Sequence, residues 1–212
     1  MKKSLQILVL GAIALLFSAC ASSSAQKNSL IENPSLLKQS KHNKSAYVYI
    51  KEGTNFKKYN RIEIPTIKVK NDKENKMDST LASQISTYFT NSLSLKLNHI
   101  LRNNPGMQTL TLDVAVDSVN VGYQDLKVWQ FIPVSLAITA VSRGTGMAGK
   151  DLNIAIALRL KDRDNKETLA MAIDSKMKED VKSIEDVKFH DVRPLLDNWV
   201  KTISKRFEEL NK

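Results

Sequence analysis

The chain has 212 residues, of which 42% are hydrophobic and 25% charged, with a formal net charge of +10 and one cysteine. This composition is typical of a globular protein that can bury a substantial core, and it excludes disordered, collagen-like and disulfide-stabilised chains. The charge is uneven, since residues 27–76 hold 12 basic against five acidic residues, whereas residues 77–212 hold 18 against 17.

The first segment of the chain has the three parts of an export signal. Lys2 and Lys3 precede an almost continuous apolar run from Ile7 to Phe17, and small residues then lead to Cys20. The run is shorter than the roughly 20 apolar residues that a membrane-spanning helix needs. We therefore interpret residues 1–19 as a signal peptide.

The end of this segment, Phe17-Ser18-Ala19-Cys20, resembles a bacterial lipobox, in which the cysteine thiol receives diacylglycerol and becomes the N-terminus. Phe17 departs from the Leu, Val or Ile usual at that position. Lipidation is favoured because Cys20 has no disulfide partner and a Ser-rich stretch follows it. Two alternatives stay open, since ordinary signal peptidase could cut after Ala21 or after Ala25.

The lipidated form would be held firmly on a membrane, because each buried methylene of an acyl chain contributes about 0.8 kcal/mol. Ala21 stands where an aspartate would resemble the inner-membrane retention signal of enteric bacteria, so we expect the outer membrane, facing the periplasm, with a soluble periplasmic protein as the alternative. The basic region 27–76 fits either attraction to anionic lipid or a solvated tether. Nucleic acid is not expected as a partner, because no recognition helix or aromatic-interleaved basic face is present.

Residues 20–45 are rich in Ser, Asn, Lys and Gln and predict a lipid-anchored flexible tether before a single domain at 46–212. Residues 46–50 predict a short strand. Alternating apolar residues from Tyr59 to Val69 predict a second strand, with Pro65 at an edge or bulge. A charged loop is expected at 70–76.

The next segment predicts a long helix that is capped by Asp78 or Ser79 and ended by Asn103 to Gly106. Its apolar residues recur every four positions from Leu81 to Leu101. Strict alternation then predicts a strand with one wet face. Its inward residues are Leu110, Leu112, Val114 and Val116, and its outward residues include Asp113 and Asp117.

Residues 128–141 are apolar with small polar residues between and favour a short helix or helical hairpin arm, packed in the core or contacting a membrane or partner. Residues 152–160 and 169–173 alternate on either side of the turn-forming run 162–166, which predicts a β-hairpin. A charged loop at 176–188 and a final amphipathic helix, capped by Asp191, follow. Pro194 is expected in the first turn of that helix.

This order of elements predicts an α+β fold. We expect a mixed, largely antiparallel sheet of four or five strands, with the two long amphipathic helices packed on one face.

The glycine-rich segment from Arg143 to Asp151 contains a G-x-G-x-x-G pattern and an incomplete P-loop. Both motifs require a helix immediately afterwards, so that its N-terminus faces phosphate. The residues that follow alternate as a strand does, and Asp151 would place a negative charge beside phosphate. We therefore expect a glycine turn and no nucleotide cofactor.

Catalytic and metal-binding groups are sparse. His42, His99 and His190 are far apart in sequence, so no metal site is expected. No serine nucleophile motif is present. Asp113 and Asp117 share one predicted strand face, where a carboxylate pair or an ordinary solvated surface would fit equally. We expect a protein without enzymatic activity.

Several segments resemble a family of bacterial lipoproteins of unknown function, known as domain of unknown function 3313. The resembling residues are the 59–69 strand, the Pro133 segment, Arg143-Gly144, Asp162, Glu167 to Ala170, Asp174, Leu196, Asp197, Trp199 and Val200. The family turn usually contains Thr-Gly where this chain has Asn165-Lys166. The resemblance implies a lipid anchor and a compact α/β domain over residues 46–210, and it supplies no activity.

Together these observations predict an envelope lipoprotein that acts by binding, as an accessory or scaffold domain. The alternatives are a lipid- or glycan-binding transport component, with residues 128–141 lining a groove, and a hydrolase with an unrecognised site.

Overall fold

The computed structural model describes residues 30–69, 77–122, 150–181 and 186–212. In these residues seven strands form one sheet and two long helices pack against it. The strands are β1 (Lys38–Gln39), β2 (Tyr47–Ile50), β3 (Tyr59–Glu63), β4 (Lys68–Val69), β5 (Gln108–Gly122), β6 (Lys150–Asp162) and β7 (Thr168–Val181). The helices are α1 (Ser79–Leu101) and α2 (Phe189–Leu210).

The strand order is β1-β2-β7-β6-β5-β3, and β4 also pairs with β5. From β1 through β5 every neighbouring pair is antiparallel, whereas β3 and β4 run parallel to β5. The predicted α+β class with a mixed, largely antiparallel sheet is therefore confirmed. The predicted β6–β7 hairpin lies at the centre of the sheet.

The sheet has seven strands, more than the four or five predicted. The segment predicted as one strand around Pro65 is two strands, because β3 ends at Glu63 and β4 begins at Lys68. Proline has no N–H to donate to a strand ladder, so the pairing with β5 is interrupted there. The other additional strand, β1, lies in the segment predicted as tether.

Both helices begin with carboxylates that cap them. The Asp78 side chain accepts a hydrogen bond from the Thr80 N–H at 3.0 Å, as predicted for the N-cap of α1. In α2 the cap differs from the prediction, because the helix begins at Phe189 and Asp191 lies within its first turn. Its carboxylate accepts from the Lys188 N–H at 3.0 Å.

The main core lies between the two helices and one face of the sheet. The apolar stripe of α1 is buried along its whole length, with Phe89, Leu93 and Leu97 fully inaccessible to solvent. It packs against α2, where the ring centroids of Trp199 and Phe89 lie 6.2 Å apart. The same cluster contains inward residues of β5 and β6, so both helices cover one face as predicted.

A second, smaller core covers the opposite face of the sheet. Ile31 and Leu37, only 5% and 2% exposed, pack there against Tyr47, Ala157, Met171 and Ile173. Residues 30–45 were predicted as part of a flexible tether, and this prediction is wrong for them. The two buried residues, the partly buried Leu30 and the Glu32–Arg159 ion pair hold this polar segment against the sheet. We call residues 30–37 the strap.

Other predicted segments end differently or lie outside the described residues. The loop predicted at 176–188 is partly strand, because β7 continues to Val181. The predicted loop at 70–76 and the apolar segment 128–141 lie outside the described residues.

Candidate functional site

The predicted lipidation residue, Cys20, lies outside the described residues, as does the glycine cluster at 143–149. The residues after that cluster are described, and they form strand β6 from Lys150 onward, paired antiparallel with β5 and β7. A phosphate site of the G-x-G-x-x-G or P-loop type needs a helix N-terminus at this position. The expectation of a strand here is therefore confirmed.

Asp162 forms a buried carboxylate centre at the β6–β7 turn and is only 4% exposed. Its oxygens accept hydrogen bonds from the Tyr59 hydroxyl at 2.8 Å and from the backbone N–H groups of Asp164 at 2.9 Å and Asn165 at 3.3 Å. Burial raises the pKa of this carboxyl, but these donors and the nearby Lys58 outweigh burial, and its pKa is lowered overall. An ionised and fully engaged carboxylate of this kind holds a turn and is not available for proton transfer.

Asp174 is the second buried carboxylate and joins three elements. On β7, it accepts hydrogen bonds from the Trp199 indole N–H at 2.8 Å, the Ser45 hydroxyl at 2.6 Å and the Asn43 amide at 3.1 Å. Lys176 completes the group with an ion pair at 3.5 Å. Since these donors come from the β1–β2 loop, β7 and α2, Asp174 joins that loop and the sheet to α2.

Asp113, considered above as one member of a carboxylate pair, is paired with cations instead. Its carboxylate lies 3.0 Å from Arg159 and 2.7 Å from Lys161, and Arg159 also pairs with Glu32 of the strap. Burial raises the pKa of Asp113, but the hydrogen bonds from Lys161 and Arg159 outweigh it and lower the pKa. A general acid needs the opposite shift. The side chain of Asp117 is not described.

Metal-binding chemistry is also limited. Across the four described ranges, no three His, Cys, Asp or Glu side chains are grouped so that they could hold a metal ion.

Within the same ranges, neither helix combines the length and the apolar character needed to cross a membrane.

An open groove of about 750 Å³ follows the outer side of α1 and ends against α2. Its lining comes from Thr80, Ser83, Gln84, Thr87, Tyr88, Asn91, Ser92 and Leu95 of α1 and Phe189 of α2. None of these side chains is charged. The whole of α1 contains one lysine and no acidic residue over 23 residues, although a quarter of the chain is charged.

Aromatic contacts hold one side of the groove in place. The Tyr88 and Phe189 rings meet edge to face with centroids 5.3 Å apart, and the Arg193 guanidinium lies 5.4 Å from the Tyr88 centroid. The Tyr88 hydroxyl also donates to Asp197. Leu95, the last lining residue of α1, is 74% exposed, which is unusual for a large apolar side chain. The groove therefore offers hydroxyl and amide groups beside apolar surface and suits an uncharged ligand or partner.

This groove was not predicted from the sequence, because the apolar period of α1 locates the buried face of the helix and not its exposed face. The signal was present on the other side of the same helix. An exposed helix face normally carries charges, and residues 79–95 have none. An uncharged exposed face beside a buried stripe marks a surface of unusual chemistry.

The sequence matches the family model described as "Protein of unknown function (DUF3313)" over residues 27–203. No curated protein matches the sequence.

Solved structures with some similarity include a PelC dodecamer from Paraburkholderia phytofirmans, with 9% identity, 78% of this chain and 97% of that chain covered, and a TM-score of 0.41. A "putative neuraminyllactose-binding hemagglutinin homolog" from Helicobacter pylori has 14% identity, 77% and 90% coverage, and a TM-score of 0.37. A "putative lipoprotein" from Caulobacter crescentus CB15 has 11% identity, 72% and 94% coverage, and a TM-score of 0.24. At such values nothing about function follows for this chain.

Proposed function

This chain belongs to the DUF3313 family, and from that premise we propose that it is a lipid-anchored envelope lipoprotein whose domain acts by binding. The anchor would be Cys20, on the outer membrane and facing the periplasm. The support for the anchor is the sequence itself, in which a short apolar segment ends in the sole cysteine.

The observation that carries the binding activity is the uncharged groove along α1. Its lining has no charged side chain, and it includes an aromatic pair and the exposed Leu95. Catalysis is not proposed, because the carboxylates of Asp113, Asp162 and Asp174 are each occupied by donors from their own domain. An accessory or scaffold protein needs such a surface and no reactive group.

A neutral glycan is the second candidate ligand for the same groove. Seven lining residues carry a hydroxyl or amide group, and sugars are recognised by such groups beside apolar and aromatic surface. The lipid- or glycan-binding alternative predicted from the sequence placed the ligand against residues 128–141, which lie outside the described residues, and against the basic region 27–76.

The anchor is tested by the intact mass of the protein extracted from membranes, beside a Cys20→Ser variant. We expect a chain that starts at Cys20 with added acyl groups, and we expect the variant to leave the membrane fraction. A chain that begins at Ser22 or Gln26 without lipid would contradict the anchor.

The groove is tested by placing a photo-crosslinking residue at Asn91, with a matched control at the exposed Thr202 of α2. We expect a crosslinked species in intact cells from position 91 and none from position 202, and a Thr87→Arg substitution should reduce it. Sensitivity of that species to protease indicates a protein partner, and sensitivity to periodate indicates a glycan. Equal crosslinking at both positions, or none at Asn91, would argue against a binding groove.

A further inference from the structure

The strap leaves little free chain between the proposed anchor and the domain. Ile31 and Leu37 are buried on the sheet, so the fold is already engaged immediately after Leu30. The ten residues from Cys20 to Leu30 can span at most about 35 Å when fully extended. The domain of an anchored protein would therefore stay close to the bilayer, and one of its surfaces would face the lipid. This step rests on the proposed anchor.

The strap meets the domain at one particular end of the sheet. Glu32 pairs with Arg159 and accepts a hydrogen bond from the Thr168 hydroxyl at 3.4 Å. Both partners lie beside the β6–β7 turn at residues 162–167. We call the end of the domain that contains this turn the turn end.

The other segments of the turn end are fixed by specific contacts. Tyr59, the first residue of β3, reaches Asp162 of the turn. The loop after α1 packs on residues 56–58, where the Gly106 N–H donates to the Lys57 carbonyl at 3.2 Å. The contact is so close that a Cβ on Gly106 would lie 2.0 Å from the Lys58 carbonyl oxygen. The C-terminal end of α1 and the residues before β5 therefore form part of the same surface.

Two of the four large apolar side chains that are exposed in the described residues lie at the turn end. Met107 is 89% exposed and immediately follows the tightly packed Gly106. Ile50 is 47% exposed at the end of β2, where it pairs with Ala170 next to the turn. β2 and β5 are separated by two strands, so these side chains are roughly 15 Å apart across the sheet.

Positive charge accompanies these apolar side chains. Lys57, Arg102 and Lys166 are exposed at the turn end, and none of them has an ion pair within the described residues. Most acidic groups of this end are already engaged, since Glu63 and Asp164 pair with Arg163, and Glu167 pairs with Lys51. Glu52 is also exposed, and Glu63 and Asp164 share the single cation Arg163. The five cations named here therefore face four carboxylates, and these groups leave a net charge of +1 at this end.

We propose that the turn end is a membrane-docking surface that lies on anionic lipid headgroups, with Ile50 and Met107 entering the interface. Three independent features converge on it: the chain from the proposed anchor arrives there, two exposed apolar side chains lie there, and three unpaired cations lie at the same end. Basic residues near an anionic bilayer each contribute attraction, and apolar side chains add burial at the headgroup boundary. The groove of α1 would then remain accessible for a partner in the periplasm.

The orientation is tested with single fluorescent labels at the two ends of α1. Asn103→Cys places a label at the turn end, and Ser79→Cys places one at the opposite end, about 35 Å away along the helix. The full-length lipidated protein is reconstituted on vesicles of phosphatidylcholine and phosphatidylglycerol that contain a headgroup quencher. We expect strong quenching of the label at position 103 and little at position 79. Equal quenching, or stronger quenching at position 79, would overturn the proposed orientation.

Charge dependence is tested with two double variants of equal net charge. Lys57→Glu with Lys166→Glu alters the turn end, and Lys68→Glu with Lys201→Glu alters exposed lysines elsewhere. We expect the first variant to lose at least half of the quenching at position 103 and the second to retain it. Equal loss in both variants would show a dependence on total charge alone and overturn a specific docking surface.

This design distinguishes an error in the proposed anchor from an error in the proposed docking surface. The intact mass of the reconstituted protein shows directly whether Cys20 is acylated. If it is not, the unmodified protein is added to the same vesicles and to vesicles of phosphatidylcholine alone. Quenching at position 103 on the anionic vesicles only would support docking without an anchor. No binding to either vesicle, or capture of the turn end by a protein in place of lipid, would overturn docking.

Discussion

The Tyr59–Asp162 hydrogen bond is the clearest single-residue determinant of the hairpin turn. Tyr59 is fully buried and Asp162 nearly so, so water cannot replace a donor that is removed. A Tyr59→Phe substitution leaves the buried carboxylate one donor short at almost unchanged volume. We expect the free energy of unfolding to fall by about 1–3 kcal/mol, as measured by urea denaturation at neutral pH.

Tyr49→Phe is the matched control, because Tyr49 is only partly buried and its hydroxyl has no hydrogen-bond partner in the described residues. Its effect on the free energy of unfolding should be within about 0.5 kcal/mol. If both variants lost the same stability, the Asp162 contact would not be the cause.

For single residues, contacts between neighbours in the sequence could be predicted, whereas contacts between residues far apart in the sequence could not. The turn around Asp162 follows from neighbouring residues and was predicted. The partners of Asp174 were not, because Asn43 lies 131 residues before it and Trp199 lies 25 residues after it. Asp113 was considered as a possible catalytic residue for the same reason, since its cations on β6 are 46 residues or more away. Periodicity predicts which face of a strand or helix a residue lies on, but it does not predict which distant side chain that residue contacts.

The contribution of the strap to stability can be measured by comparing two adjacent leucines. Leu37 is 2% exposed against the second face of the sheet, whereas Leu36 beside it is 39% exposed. Leu37→Ala should lower the free energy of unfolding by about 2–5 kcal/mol, because it leaves a cavity in a packed site. Leu36→Ala should change it by less than about 1 kcal/mol. Denaturation of both purified variants measures the difference.

A tether would give a different result, since neither leucine would then affect stability. Equal and negligible effects from Leu36→Ala and Leu37→Ala would contradict the packing of the strap. A comparable loss from both would point to a general sensitivity of this segment.

Long periodic elements were predictable and short ones were not. The stripe of α1 and the alternation of β5, β6 and β7 are repeated many times, so each is a strong local signal. The two-residue strands β1 and β4 are defined by their neighbours in the sheet and have no period of their own. The strap has two buried apolar residues in an otherwise polar sequence, and its polar composition therefore predicted a flexible tether.

For the whole molecule, the lowered carboxylate pKa values predict a loss of stability in acid. Burial raises the pKa values of Asp113, Asp162 and Asp191, but their hydrogen bonds and nearby cations outweigh it, and all three are lowered in the folded state. The unfolded chain, whose aspartates titrate near 3.9, therefore binds more protons than the folded chain in this range. The contribution of these groups is present above pH of about 4 and is lost as the pH falls through the lower folded-state pKa values.

Thermal unfolding between pH 7 and pH 2 should therefore show a melting temperature that declines steeply below pH of about 4. An Asp113→Asn variant removes one of the three titrating groups, so its decline over the same interval should be shallower, even though the variant is less stable at neutral pH. The stability difference between the parent and Tyr59→Phe should also narrow in acid, because protonation of Asp162 weakens the same hydrogen bond. Parallel curves for all three proteins would mean that acid acts through other groups, and the buried carboxylates would then be structural contacts without control of the pH response.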